Sequence, residues 1–235
     1  MIDFCLLPFD QNDLDALSQL SIDMVFQPIY DARDLSVSAF EALMRPDGKL
    51  PMELIAEYQA AGKLAVIELA TCFGATMEYR KRGYTQKLCI NSLPSEVLSK
   101  EQFKLYYDTF PEMEGNIVVE IVEYTSLNKH KWNAKKKNIR EHHLQVALDD
   151  YSTGHNDSSA VDVFSPHFIK LDRSLISDID RSSEKQKHVA ELVEHFHQLG
   201  VRVVAEGIET KEELDYLRNE IKVDFLQGFY LGKPQ

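Results

Sequence analysis

The sequence predicts an α/β protein folded as a (β/α)8 barrel, and three observations carry that expectation. Short apolar runs alternate with longer amphipathic ones, the pattern of a mainly parallel sheet with helical crossovers. Eight of the short runs qualify as strands, and almost all hold a polar or charged residue toward the C-terminal half. A barrel brings such strand ends together on one face. No G-x-G-x-x-G or Walker pattern occurs, whereas a doubly wound open sheet usually brings a glycine-rich phosphate turn.

In chain order the strand candidates are MVFQPIYD from Met24, VSAFEALMR from Val37, KLCINS from Lys87 and NIVVEIVE from Asn116. QVALDD from Gln145, HFIKLDRS from His167, VRVVAEGIE from Val201 and DFLQGFYL from Asp224 complete the set. Their polar residues are Gln27, Glu41, Asn91, Glu120, Asp149 with Asp150, Lys170, Glu206 and Gln227. Helices are expected between several of them. EKQKHVAELVEHFHQLG closes on Gly200, where a C-cap glycine belongs. KEELDYLRNE follows Thr210 as N-cap, with Glu213 at the capping-box position.

Adjacent carboxylates at the end of an apolar run need a partner, a metal or a proton if they are buried, and otherwise mark a solvated turn. Glu41, Asn91, Glu120, Asp149 and Asp150 form an all-oxygen donor set, hard and anionic, suited to Mg²⁺ or Mn²⁺ rather than zinc. Alternation places Asp149 on the inward face with Ala147, and Asp150 at the bend over the barrel mouth. Each acid alone reads as a solvated strand end or an ion pair. Their recurrence strand after strand does not.

Bulk properties narrow the function. At 235 residues and 44% hydrophobic content the chain can bury a substantial core. Linkers, low-complexity segments, internal repeats and an N-terminal leader are not apparent, and no run of about 18 apolar residues occurs to span a bilayer. The expectation is a single domain over residues 1–235 in the cytoplasm. Cys5, Cys72 and Cys89 are widely spaced, which suits small buried hydrophobes in a reducing compartment. A net charge of -12 disfavours binding to a nucleic acid polymer. Lys135-Lys136-Lys137, the one basic block, is expected on a solvated helix face.

An ordered series of motifs resembles the EAL domain family. It comprises FQPIYD near the start, FEALMR at 40–45, INS at 90–92, VEIVE at 119–123, LDDYSTG at 148–154, IKLDRS at 169–174, VVAEGIET at 203–210 and LQGFYLGKP at 226–234. The motif-bearing region runs from about residue 24 to 235. The resemblance implies a TIM-like (β/α)8 barrel whose first strand runs antiparallel to the rest. It also implies a phosphodiesterase that hydrolyses cyclic di-GMP, a bacterial messenger favouring biofilm over motility, to linear pGpG. By position, Glu41, Asn91, Glu120 and Asp149 match the family's primary metal ligands, and Asp150 the second-metal ligand. Lys170 matches the lysine near the nucleophilic water, and Glu206 the general base or metal-site partner. Gln27, Leu43, Arg45 and Gln227 fall on substrate-contacting positions. Glu123 matches the anchor of the loop after the double aspartate, with Asp172 and Glu209 as supporting residues.

The implied cofactor is one or two Mg²⁺ or Mn²⁺ ions, with Ca²⁺ inhibitory, and the implied assembly is a homodimer with an unidentified protein partner possible. The chemistry suits these residues, because phosphodiester hydrolysis needs an activated water and charge neutralisation. Arg45 and Lys170 add the positive charge. The sequence departs from the family between Tyr151 and Asp157, where Ser152 stands for the usual glycine. Val122 also replaces a threonine. The alternative reading is therefore a weak or inactive EAL protein that acts as a cyclic di-GMP receptor or a protein-interaction regulator.

Overall fold

A computed structural model describes residues 1–122, 127–151 and 158–235. Glu123, Ser152 and the rest of the 152–157 loop lie outside the described residues. After a 3₁₀ turn at Phe4–Leu6, the elements are α1 (Gln11–Leu17), β1 (Ile22–Asp31), β2 (Val37–Pro46), α2 (Pro51–Ala60), α3 (Leu64–Lys81) and β3 (Lys87–Ser92). Then come α4 (Lys100–Thr109), β4 (Ile117–Ile121), α5 (Lys129–Glu141), β5 (Gln145–Tyr151), α6 (Ser158–Phe164) and β6 (Phe168–Leu171). The chain ends with α7 (Arg173–Ile176), α8 (Ser183–Gln198), β7 (Arg202–Ala205), α9 (Lys211–Tyr216), a π turn at Leu217–Ile221 and β8 (Phe225–Leu226). The strands close in chain order from β1 to β8 into a mixed barrel, with β1 antiparallel to the rest.

Contacts divide the chain into two compact units. One comprises Met1–Phe26, Ala42–Val119 and Tyr124–Leu144. The second comprises Gln27–Glu41, Glu120–Glu123 and Gln145–Gln235. The first unit holds α3, which is buried on all sides (Ile67, Leu69, Ala70, Phe73, Ala75) and so lacks an amphipathic stripe. Phe73 sits at its centre, 4.6 Å from Phe9 and 5.2 Å from Tyr106 between ring centroids. The expectation for Lys135 fails here. Its side chain is buried, with Nζ 2.8 Å from Glu68 Oε1, 2.6 Å from Ser92 Oγ and 2.7 Å from the Leu93 carbonyl. Helical periodicity explains this, since Lys135 shares a face with Trp132 and Ile139, the buried residues of α5. Cys5 is also exposed rather than buried, whereas Cys89 is buried as expected.

The second unit carries β5 to β8. Its helix α8 buries Val189, Val193 and Phe196 along one face, and Gly200 follows in the left-handed conformation (φ +73°). Thr210 and Glu213 form the expected capping box on α9. Strands β6 and β7 pair in register from Phe168 with Arg202 to Leu171 with Ala205. Between β5 and β6, Leu148 pairs with Ile169 and Tyr151 with Leu171. Two residues, Asp149 and Asp150, therefore stand opposite Lys170 alone, which is a β-bulge. In the antiparallel pairing of β1, Asp31 lies opposite Phe225 at the amino end of β8. The carboxyl end of β1 thus points away from that of β8, and Gln27 lies mid-strand on β1.

Candidate active site

The centre of the second unit is Lys170, on β6 and 1% exposed. Its Nζ lies 3.4 Å from Glu41 Oε2, 3.3 Å from Glu120 Oε1, 3.0 Å from Asp149 Oδ1 and 2.9 Å from Glu206 Oε1. Four acids from β2, β4, β5 and the end of β7 thus converge on one cation. A surface-reaching lysine is ruled out by its burial. Burial by itself would lower the Lys170 pKa, but Asp149, Glu120, Glu206 and Glu41 outweigh it and hold the ammonium well above its ordinary value.

One lysine does not balance four carboxylates. Burial pushes Glu120 well above the ordinary carboxylate range, with Lys170 opposing and the neighbouring acids reinforcing the rise. Glu206 is likewise raised, first by burial and then by Asp149 and Glu41, against the opposing pull of Lys170. Asp150 is pushed up to about 6 by burial and by Asp149. Two like charges about 4 Å apart repel by roughly 4 kcal/mol at an effective dielectric of 20. The cluster is therefore short of positive charge.

The bulge resolves the puzzle of two adjacent acids. In a regular strand they would face opposite sides. Asp150 instead adopts φ +50°, a left-handed conformation that aspartate tolerates better than most residues. Oxygens of Asp149, Asp150 and Glu206 then lie within 4.8 Å of one another. Glu120 Oε2 is buried without a hydrogen-bond partner among the described residues. These hard oxygen donors fit a divalent cation such as Mg²⁺ or Mn²⁺.

Other expected residues fall around this cluster or apart from it. Gln227 donates from Nε2 to Glu41 Oε2 at 2.6 Å, and its own Oε1 is buried without a partner among the described residues. Gln27 donates to the Gly232 carbonyl at 3.0 Å. Asp172 caps α7 by accepting from the Ser174 N–H, and Glu209 pairs with Arg173 at 2.7 Å, so neither touches Lys170. In the first unit, Asn91 is half-buried, one residue before the end of β3, and donates to the Ala42 carbonyl at 3.4 Å. Leu43 is half-buried on β2. Arg45 is exposed, donates to the Met44 carbonyl and makes no ion pair among the described residues.

The EAL domain family model matches residues 11–234. The chain belongs to the EAL domain family. Among curated relatives, the probable cyclic di-GMP phosphodiesterase PdeG of Escherichia coli K12 is 27% identical over 93% of this chain. The chain spans 46% of PdeG. The standalone EAL protein of Vibrio cholerae O395, solved in its c-di-GMP-bound form, superposes with a TM-score of 0.81 at 23% identity, covering 92% of each chain. BlrP1 of Klebsiella pneumoniae, solved with manganese and cyclic di-GMP, gives a TM-score of 0.73 at 26% identity over 91% of this chain and 56% of BlrP1.

Three residues of this EAL domain support the loop after β7, and of these only Glu213 was marked by local sequence pattern. Arg173 donates to the Gly207 carbonyl as well as pairing with Glu209. Gly207 has φ +70°, and a Cβ there would lie 2.5 Å from that of Arg173. Glu213 accepts from the backbone N–H groups of Asp178, Glu209 and Thr210. The capping-box pattern marked Glu213 as a helix cap, but nothing in sequence spacing marked Asp178 as its third donor.

Proposed function

We propose that residues 1–235 act as a single EAL domain that hydrolyses cyclic di-GMP to linear pGpG in a divalent-metal-dependent reaction. The observation that carries this reading is the buried acid cluster around Lys170, built from residues at the family's motif positions. Glu41, Asn91, Glu120, Asp149 and Asp150 would hold Mg²⁺ or Mn²⁺. When bound, the ion supplies charge to neutralise the phosphodiester and acidifies water.

The chain's own groups have separable tasks. Glu206, made more basic by burial, is suited as a carboxylate to accept a proton from the attacking water. Lys170 stays protonated, and its position 2.9 Å from Glu206 and 3.0 Å from Asp149 fixes both carboxylates for the reaction. Arg45, without a carboxylate partner among the described residues, is available to a phosphate oxygen. Gln27, Leu43 and Gln227 orient the nucleotide, and the enzyme acts as a homodimer.

The test is direct. Purified protein is incubated with cyclic di-GMP and Mg²⁺ or Mn²⁺, and the products are separated by chromatography. Linear pGpG accumulating ahead of GMP supports the proposal. Tight cyclic di-GMP binding without turnover in either ion would replace it with the receptor reading.

A further inference from the structure

The second unit has another charged feature, at the amino ends of β7 and β8. A cleft of about 790 Å³ is lined by Arg33, Arg202, Arg218, Lys222, Asp31 and Asp224, among others. This volume lies within the usual range for small-molecule sites. Arg202 opens β7, four residues before Glu206, so the cleft and the acid cluster are separated by about 13 Å along that strand.

The two acids are already engaged. Asp31 receives a forked pair of hydrogen bonds from Arg33, 2.9 Å from Nε and 2.6 Å from Nη2. Asp224 accepts from the Val203 N–H at 2.8 Å and hydrogen-bonds His197 Nε2 at 2.8 Å. Arg218 is anchored by backbone carbonyls, its Nη2 lying 2.6 Å from Arg33 O. Arg202, Arg218 and Lys222 have no carboxylate partner among the described residues. In a chain of net charge -12, three such cations around one cleft are not a general surface property.

Arg202 is also held in place, and Lys222 sits at a conformationally costly turn. The Arg202 guanidinium lies 4.2 Å from the Phe168 ring centroid and 5.5 Å from that of Phe225, which fixes its plane while leaving its N–H groups to a ligand. Lys222 follows the π turn with φ +62° and ψ +49°, a position where glycine is at no disadvantage and a residue with a Cβ pays roughly 1 kcal/mol. The backbone accepts that strain at a residue that lines the cleft. Guanidinium groups match phosphate oxygens in pairs, and a lysine adds a point charge.

We infer that this cleft binds a phosphorylated small molecule, at a site separate from the acid cluster. Isothermal titration calorimetry with inorganic phosphate and with pyrophosphate tests it, on metal-free protein in EDTA at low salt. Saturable binding with one site per chain is expected, tighter for pyrophosphate. Arg202→Gln/Lys222→Gly should weaken it at least tenfold, with an unchanged circular dichroism spectrum, because glycine keeps the left-handed turn. Arg45→Gln, outside the cleft lining, should leave it unchanged. Absence of saturable binding in the native protein would overturn the inference. So would retained binding in Arg202→Gln/Lys222→Gly, or an equal loss in Arg45→Gln.

Discussion

At the scale of single residues, burial decides what each charge can do. Lys170 is 1% exposed among four carboxylates, so Lys170→Met leaves a group of unpaired buried acids. Breaking a buried ion pair on one side typically costs about 3–5 kcal/mol. Chemical denaturation of the metal-free protein should show a loss of that size, and Mn²⁺ should raise the melting temperature more in Lys170→Met than in the native protein. Glu213 illustrates the opposite balance. Burial alone would raise its pKa, but backbone N–H bonds from Glu209, Asp178 and Thr210 outweigh that and hold it below its ordinary value of 4.5. A depressed carboxylate pKa gives stability that is fully present above the unfolded value and is lost as pH falls through the folded one. Glu213→Gln should therefore lower stability at pH 7 and flatten its decline below about pH 4.5, read from melting temperatures across pH.

At the scale of elements, close backbone approach and one buried lysine make the sharpest demands. A Cβ at Gly228 would lie 2.1 Å from the Ile208 carbonyl oxygen and 2.2 Å from its nitrogen. Backbone atoms cannot swing aside as a side-chain tip can. Gly228→Ala should thus destabilise the protein by at least about 1–3 kcal/mol, measured by urea unfolding, and should displace neighbouring Gln227. Helix α5 is docked through Lys135, which bonds Glu68, Ser92 and the Leu93 carbonyl. Lys135→Met alone should cost about 3–5 kcal/mol, and adding Glu68→Leu should recover much of it, because the second change removes the stranded carboxylate. A double mutant no more stable than Lys135→Met would show that the Glu68 bonds to Ser92 and Leu93 N–H matter more than the ion pair.

At the scale of the whole molecule, a net charge of -12 coexists with a cluster that needs more positive charge than the chain provides. The proposed function makes the missing charge a divalent ion. Excess EDTA should abolish cyclic di-GMP hydrolysis, Mg²⁺ or Mn²⁺ should restore it, and Ca²⁺ should bind without supporting comparable turnover. Glu41→Gln should lower kcat by about 100-fold or more, equivalent to about 3 kcal/mol of transition-state stabilisation. No helix among the described residues is long and apolar enough to cross a membrane.

The sequence by itself pointed to the barrel class, because eight strand-length apolar runs with polar ends recur between helical segments and no glycine-rich phosphate turn marks an open sheet. It also placed the capping box of Thr210 and Glu213 and the choice of hard oxygen donors, since these follow from residue type and local spacing. Tertiary structure alone decided that Asp149 and Asp150 face one lysine, because a bulge is a mismatch between two strands and has no signature within either. It decided that Lys135 is buried while its basic neighbours Lys136 and Lys137 are not as deeply placed, because the counter-ion comes from α3, 67 residues away. It also gathered Arg202, Arg218 and Lys222 around one cleft. Local chemistry is written along the chain, whereas the partner of a buried charge is set by the fold that brings distant segments together.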